Sequence, residues 1–346
     1  MKAKVERRKA KVRRLEQCVG WFSFRLPPSA FRLCCALALV AAPAWAQQYP
    51  ARTVRIVAPF APGGTADTLG RIVAGKLTES LGQSFIVDNR PGAGGLLGSE
   101  QVSKSAPDGY VLVVSGVASH AIAPALAAKA PFDPVKDFTH IALFGGPPVA
   151  FAVHPSLPAK DLKSFVALAK AKPRELSFGS PGNGTQGHLV AEVFKQSAGI
   201  NLIHVPYKGA SIAVVDVVAG HIHAISTTLT TASAQIRAGR IRALAISSAN
   251  RLSDYSGVPT FRELGYRNLV ATVWFSLSGP PGMPADIVSK LNTEVRRILQ
   301  LPDVRERLRG DGIEPNQLDP KAFNEFMIAE IKRWEPVVRA SGARAD

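Results

Sequence analysis

Short apolar segments alternate with amphipathic segments along this chain, and that order is the feature that most restricts its fold. Residues 54–58 are apolar and rich in valine and isoleucine, and residues 66–81 place Leu69 and Val73 on one helical face. Pairs of this kind recur between residues 111 and 247. A repeated strand–helix order predicts an α/β fold built on doubly wound, largely parallel sheets.

The N-terminal segment has the composition of an export signal. Ten lysines and arginines precede the apolar run 33–42, and Pro43-Ala44-Trp45-Ala46 places small residues where a signal peptidase cleaves. We therefore predict a signal peptide over residues 1–46, a mature chain that begins at Gln47, and a location in the periplasm.

Composition narrows the function classes for the mature chain. The three cysteines of the full chain all lie within residues 1–46, so neither disulfides nor thiol chemistry are expected in the mature chain. The formal net charge of +16 falls to +8 without that segment, and the basic residues are scattered, as at Arg237, Arg240 and Arg242. Such a charge is typical of a solvated surface, so no nucleic-acid partner is expected.

Proline and glycine clusters predict where the chain changes lobes. One cluster spans residues 145–148, and the second crossing, at 273–276, ends at the cluster 279–282. We predict a discontinuous first lobe of residues 47–148 and 275–346, and a second lobe of residues 149–274. Two helices follow the second crossing, one near Pro284 and one with Asp319 as its cap and Pro320 at its first position. We expect both helices to cover the first lobe.

Two glycine-rich loops are the most informative motifs. The first cradle, residues 58–65, and the second cradle, residues 178–185, each join a predicted strand to a helix and end in a threonine at the expected helix cap. The first N–H groups of a helix lack intrahelical partners and lie at the positive end of its dipole, so they can bind a carboxylate or phosphate. Two such loops, one per lobe, predict a single anion held between the lobes. Their candidate ligand-binding residues are Phe60, Ala61, Pro62, Gly63, Gly64, Thr65, Ser180, Gly182, Asn183, Gly184 and Thr185.

Three polar residues beside the cradles have two interpretations each. Asp67 either stabilises its helix through the dipole or orients residues 63–65 of the first cradle. His120 and His188 each lie in the first turn of a predicted helix and either bind the ligand or fix a loop. Trp274 and Phe275 are more typical of hinge packing than of a binding platform.

Catalytic, metal and nucleotide motifs are weak or missing in the sequence. Neither cradle matches the phosphate-loop or dinucleotide-binding pattern, and no G-x-S-x-G elbow of a hydrolase is present. His221 and His223 alternate on a predicted strand near His204, but no cysteine or acidic cluster accompanies them. We expect no cofactor, no metal and no enzymatic activity.

The ordered motifs resemble the solute-binding proteins of tripartite tricarboxylate transporters, the Bug or TctC family. The resemblance runs from Tyr49 to the C-terminus. It is carried by the segments 58–64, 89–95, 106–110, 119–122, 133–138, 182–185, 204–209 and 238–245.

The resemblance implies a two-lobed, type II periplasmic-binding-protein fold with two mixed sheets joined by two crossing strands. It implies a small carboxylate or amino acid held by backbone amides and water in a cleft that closes by hinge motion, and delivery to a membrane permease. It adds the loop Ala118, Ser119, His120 to the candidate site, and we expect the receptor to act as a monomer. No chemistry on the ligand is required by this cycle.

The sequence departs from the family pattern at several positions. Thr227 and Thr228 stand where the family often has an aspartate, and both join the candidate site; Leu96 and Ala123 replace frequent asparagines. Loss of the aspartate removes a partner for an ammonium or amide group. We therefore expect a ligand without a positive group at its far end.

Two other functions remain open at this point. A sensory receptor would present its closed form to a membrane kinase instead of a permease. A secreted hydrolase or isomerase would use Asp67 with His120 or His188, but no nucleophile–base pair is evident in the sequence.

Overall fold

The structure is a computed structural model that describes residues 49–341. The predicted signal peptide lies outside the described residues. The strands are β1 (Val54–Ala58), β2 (Phe85–Asn89), β3 (Val111–Gly116), β4 (Thr139–Gly145), β5 (Val149–Val153), β6 (Ser177–Ser180), β7 (Ile203–Pro206), β8 (Ala224–Thr228), β9 (Arg242–Ile246) and β10 (Phe275–Gly279).

The α-helices lie on the faces of these strands. They are α1 (Thr65–Leu81), α2 (Leu96–Ser103), α3 (Ala123–Leu126), α4 (Leu162–Ala171), α5 (Gln186–Ala198), α6 (Ala210–Val218), α7 (Leu229–Arg237), α8 (Ala285–Ile298), α9 (Pro302–Gly310) and α10 (Pro320–Ser341). A π-helical turn, Ala118–Ile122, precedes α3. Within residues 49–341, none of the helices has both the length and the apolar character that a bilayer span requires.

Two five-stranded mixed sheets form the centres of two lobes and follow one plan. The first sheet has the order β2-β1-β3-β10-β4 and the second the order β7-β6-β8-β5-β9. In each sheet three parallel strands are followed by one strand that runs antiparallel to both its neighbours, β10 in the first and β5 in the second. The predicted α/β fold with two mixed sheets is confirmed.

The antiparallel strand of each sheet is the one that follows a crossing between the lobes. The first crossing lies between β4 and β5, and the second ends just before β10. The two segments are paired at the crossing, where Pro148 bridges to Thr272 and the Val273 N–H donates to the Pro147 carbonyl at 2.8 Å. The cluster 279–282 forms the turn between β10 and α8.

Burial explains why the sequence signal was strong in some elements and weak in others. All five residues of β5 are buried, and Phe151 contacts Phe165 and Phe194 with ring centroids 5.1 and 5.2 Å apart. By contrast, β2 is an edge strand with half-exposed residues, and its apolar run Phe85–Val87 has only three residues and was not assigned as a strand. The strand β4 and the helices α2 and α9 were also not predicted.

The C-terminal helices pack largely as expected. Helix α8 lies against β4 and α1. Helix α10 begins at Pro320 as predicted, and the Asp319 carboxylate accepts from the Ala322 N–H at 2.8 Å. The same helix contacts the first lobe at β4 and the second lobe at α5, so the expectation that it covers only the first lobe was incomplete.

Two local predictions were wrong. Thr65 is the first residue of α1, and its cap is Gly64, which has extended backbone and no side chain to cap with. His221 and His223 precede β8 and do not alternate on a strand, because that strand begins at Ala224. His221 is exposed, whereas His223 Nδ1 accepts from the Ser177 backbone N–H at 3.1 Å and lies 3.0 Å from the Ser177 hydroxyl.

Candidate functional site

A small cavity between the lobes is lined by the first residues of three helices. Thr65 begins α1, Gln186 begins α5 and Ala210 begins α6, and all three line the cavity. It encloses about 50 Å³ of space for the centre of a water molecule. The other lining residues are Phe60, Gly64, Ala66, Ala118, Pro181, Thr185, Gly187, Thr228, Val273 and Phe275.

The first cradle is held by a charged hydrogen-bond network behind it. The Asp67 carboxylate accepts from the Gly63 N–H at 2.9 Å and from Arg71 Nε at 3.0 Å. Arg71 also donates to Asn89, whose Nδ2 donates to the Phe60 carbonyl at 3.1 Å. Burial alone would raise the pKa of the Asp67 carboxyl, but the hydrogen bonds from Arg71, Gly63 and Asn89 outweigh it and lower the pKa below 3.8. The geometry therefore shows Asp67 orienting the cradle, the second of its two interpretations.

The second cradle is held by hydroxyl and imidazole groups. The Ser180 hydroxyl lies 2.7 Å from His204 Nε2 and 3.2 Å from the Gly182 N–H. The Thr185 hydroxyl caps α5 by accepting from the His188 N–H at 3.4 Å, and it donates to the Gly182 carbonyl at 2.8 Å. This cap confirms the prediction made for Thr185.

Two stacked histidines lie directly behind the second cradle. The rings of His188 and His204 are 4.0 Å apart and nearly parallel, and His188 Nδ1 accepts from the Gly184 N–H at 3.3 Å. Burial, followed by the nearby His188 and Lys195, lowers the pKa of His204 to about 3. Ser180 is fully buried and is not a lining residue, so its contact with His204 shapes the loop and does not present a nucleophile to the cavity.

A third helix N-terminus, which sequence reasoning did not assign to the site, completes the cavity. Its cap is Gly209, and a Cβ there would come within 2.8 Å of the Ala61 Cβ, so the backbones of the two lobes approach closely. Beside it, the Ser211 hydroxyl donates to the Pro62 carbonyl at 2.7 Å. The signal in the sequence was a third strand–glycine–helix unit, in which β7 is followed by Gly209 and then Ala210.

Hydroxyl groups join the lobes at the cavity wall. Thr65 Oγ1 lies 2.6 Å from Thr228 Oγ1 and 3.1 Å from Thr231 Oγ1, and the last two hydroxyls are 3.0 Å apart. Because each hydroxyl can donate and accept, the three satisfy one another across the gap. Together with the contacts of Gly209 and Ser211, this cluster shows that the two lobes are in direct contact beside the cavity.

The cavity has no charged lining side chain among the described residues. Its positive character comes from backbone dipoles, since the helices α1 and α6 are capped by glycine and their first N–H groups have no side-chain acceptor. Three helix N-termini directed at one small space favour a single compact anion. Phenylalanine, valine and alanine side chains form most of the remaining wall.

The loop at the π-helical turn divides its residues between the cavity and the core. Ala118 lines the cavity, whereas the His120 ring packs against Phe138 and Phe132 with centroids 4.5 and 5.8 Å apart. Burial, followed by the proximity of His140, lowers the pKa of His120 well below 6.5. Its Nδ1 lies 2.9 Å from the Ser119 hydroxyl, so this histidine fixes the loop from behind.

The predicted site residues fall into two groups. Six of them line the cavity: Phe60, Gly64, Thr65, Ala118, Thr185 and Thr228. The others lie beside or behind this lining: Ala61, Pro62, Gly63, Asp67, Ser119, His120, Ser180, Gly182, Asn183, Gly184, His188 and Thr227. Thr227 is fully buried at the end of β8 and does not line the cavity.

Other candidate chemistry is not assembled in the described chain. Within residues 49–341, no three histidine, cysteine, aspartate or glutamate side chains are grouped to hold a metal ion. Trp274 is buried and donates to Glu330 Oε2 at 2.8 Å, which is a packing role beside the crossing, whereas Phe275 lines the cavity.

Comparison with known proteins agrees with this geometry. The model of the tripartite tricarboxylate transporter family receptor matches residues 69–343. The chain is 37% identical over 310 residues to protein BugT of Bordetella pertussis, which covers 89% of this chain and 95% of that one.

Solved structures of similar proteins contain carboxylates. R. palustris Rpa4515 with adipate has a TM-score of 0.83 and 35% identity, covering 86% of this chain and 99% of that one. MatC from Rhodopseudomonas palustris with bound malate has a TM-score of 0.79 and 33% identity, covering 84% of this chain and all (100%) of that one.

Proposed function

This chain belongs to the family of tripartite tricarboxylate transporter receptors, and from that premise we propose that it captures one small organic carboxylate between its lobes and delivers it to a membrane permease. The observation that carries the proposal is the convergence of three helix N-termini, from both lobes, on one cavity without charged side chains. The adipate and malate of the similar structures support the ligand class.

The mechanism is hinge closure. The lobes, residues 47–148 with 275–346 and residues 149–274, rotate about the paired crossings at Pro148 and Thr272. A carboxylate that accepts from Thr65, Gln186 and Ala210 touches both lobes, and only such a ligand shifts the population towards the closed form. Direct contacts between the lobes already stabilise the closed form. The ligand therefore needs to add only the remaining free energy that makes the closed form more stable than the open form.

A substitution at the cavity tests the anion site directly. Ala210→Asp places a carboxylate at the first position of α6, where the helix dipole stabilises it, so the fold should persist while the site is filled by the protein's own anion. Calorimetry should show at least about a tenfold loss of carboxylate affinity relative to Ala210→Asn, which matches the aspartate in size. Equal affinities in the two variants would argue against an anion bound at this helix.

Distance measurements test the closure. Residues 47–346 contain no cysteine, so the exposed pair Leu97→Cys in α2 and Val215→Cys in α6 can carry spin labels on different lobes. Adding a bound carboxylate should shorten and narrow the distance distribution. The control pair Leu97→Cys and Ile86→Cys lies within the first lobe and should not respond. A carboxylate that binds without changing the first pair would exclude hinge closure.

The proposed location has its own measurement. Export with cleavage after Ala46 would give a periplasmic protein whose intact mass corresponds to a chain beginning at Gln47. Recovery of the protein in the cytoplasmic fraction with residues 1–46 attached would contradict it. Co-purification with a permease, rather than with a sensor kinase, would separate transport from sensing.

A further inference from the structure

The side-chain oxygen of Gln186, a residue of the cavity wall, has no hydrogen-bond donor among the described residues. Gln186 is 1% exposed and lines the cavity, and its Nε2 donates to the Thr272 carbonyl at 3.2 Å. Its Oε1 is buried and has no hydrogen-bond partner among the described residues. A buried acceptor without a donor is unfavourable, so a ligand group that donates a hydrogen bond to this oxygen would be favoured.

A simple carboxylate cannot supply that donor. At neutral pH a carboxylate only accepts hydrogen bonds, and in this cavity it accepts from backbone N–H groups. The ligand must therefore carry a second group that donates. Gln186 contributes both its backbone, as the first residue of α5, and its side-chain oxygen to one wall, so the donor must lie close to the carboxylate, on C2 or C3.

The surroundings favour a hydroxyl over an ammonium group. An ammonium group buried here would have Gln186 Oε1 as a neutral partner, because no lining side chain among the described residues carries a negative charge. Burying a cation without a counter-ion is far more costly than burying a hydroxyl that has one good acceptor.

The cavity is small and partly open to solvent, and its narrow part favours a short ligand. Its volume of about 50 Å³ corresponds to about three to five water-sized positions. The wall beyond the helix N-termini is formed by Phe60, Val273 and Phe275, which suit a methyl or ethyl group and not a second carboxylate.

Resting on the proposed receptor function, we propose that the preferred ligand is a short hydroxymonocarboxylate, with three or four carbons and its hydroxyl on C2 or C3 donating to Gln186 Oε1. This assigns Gln186 as the residue that selects the ligand within the carboxylate class. The distal end of the ligand lies against apolar side chains.

Three molecules of one shape provide the test. Lactate, alanine and propionate differ only in bearing a hydroxyl, an ammonium group or a hydrogen on C2. Titration calorimetry on the full protein should show that lactate binds about tenfold or more tighter than propionate. In the four-carbon series, 3-hydroxybutyrate should bind tighter than butyrate by a similar factor. Each enantiomer of the hydroxy acids is tested separately. Alanine should bind more weakly than lactate.

Variants at Gln186 connect this preference to the proposed contact. Gln186→Met keeps the length and removes the acceptor, so the ratio of hydroxy acid to plain acid affinity should fall to about one. Using this ratio cancels any general effect of losing the bond to Thr272. Gln186→Glu retains an acceptor and should keep a preference for the hydroxy acid, although both ligands bind more weakly beside a second anion.

The outcomes separate this inference from the function on which it rests. Tight binding of malate or adipate with none of lactate or 3-hydroxybutyrate would overturn the ligand class and leave the receptor function standing. A hydroxy-acid preference that persists in Gln186→Met would overturn the role of Gln186. If no carboxylate binds at all, the receptor proposal itself fails.

Discussion

The two glycine cradles face the same cavity but are held in place by different chemistry. Behind the first cradle, Asp67 and Arg71 form a charged network whose arginine is half exposed. Behind the second, the hydroxyls of Ser180 and Thr185 and a pair of stacked histidines form a more buried network, and Glu192 Oε1 lies 3.8 Å from His188 Nε2. The same role, holding a rigid loop beside the cavity, is thus compatible with an ion-pair support and with a support of hydroxyl and imidazole groups. The difference predicts that the two loops respond to different perturbations.

The largest predicted difference between the cradles is the dependence of the free energy of unfolding on acid. The pKa of His204 is lowered to about 3, whereas in the unfolded chain it is near 6.5. Above 6.5 both states are neutral. As the pH falls below 6.5 the unfolded chain takes up a proton that the folded chain refuses, so this residue lowers the free energy of unfolding by about 1.4 kcal/mol per pH unit. The first cradle should not respond in this range, because the Asp67 carboxylate has a pKa below 3.8 and stays ionised.

Urea unfolding at a series of pH values measures this effect. The variant His204→Gln removes the titrating group and keeps a polar partner for Ser180. Its unfolding free energy should fall less steeply with acid than that of the wild type, by about one proton between pH 6 and 4. The buried His120 and His140 contribute equally to both proteins, so parallel curves would refute the assignment to His204.

Loss of the carboxylate in the first cradle should have the next largest effect. Asp67→Ala leaves the Gly63 N–H without its acceptor and Arg71 without its partner, and should lower the free energy of unfolding by about 2 kcal/mol. The matched change in the second cradle, Ser180→Ala, removes neutral hydrogen bonds and should lower it by about 1 kcal/mol. Denaturation in urea measures both, and a larger effect for Ser180 would reverse the comparison.

Substitutions of the two cradle threonines should have the smallest effects, and the two effects should appear in different measurements. Thr185→Ala removes a helix cap and should lower the free energy of unfolding by about 1 kcal/mol, which Thr185→Ser should largely restore. Thr65 is not a cap, and Thr65→Ala removes a hydroxyl that joins the lobes. It should have a smaller effect on unfolding and should instead shift the spin-label distances towards the open form. Equal unfolding effects with no change in distance would show that Thr65 acts like a cap after all.

Sequence patterns predicted the fold best where burial was complete. The strand β5 and the helices α1, α5 and α8 have regular apolar spacing because each packs against a sheet or lies within one. The edge strand β2 is only partly buried and has an apolar run of three residues followed by Asp88 and Asn89, and it was missed. The histidines before β8 were misplaced because a polar alternation of two residues occurs in a turn as readily as in a strand.

The sequence patterns determined the α/β order and two of the three glycine turns that surround the cavity, and the family resemblance implied the two mixed sheets. Glycine and proline restrict the backbone locally, and apolar periodicity reports burial, so both can be read along the chain. Only the tertiary structure decided that α6 joins the same cavity, that His120 faces the core, and that the side-chain oxygen of Gln186, a cavity-lining residue, is buried without a partner among the described residues. These properties depend on which side chains from distant segments meet, and no local pattern records that.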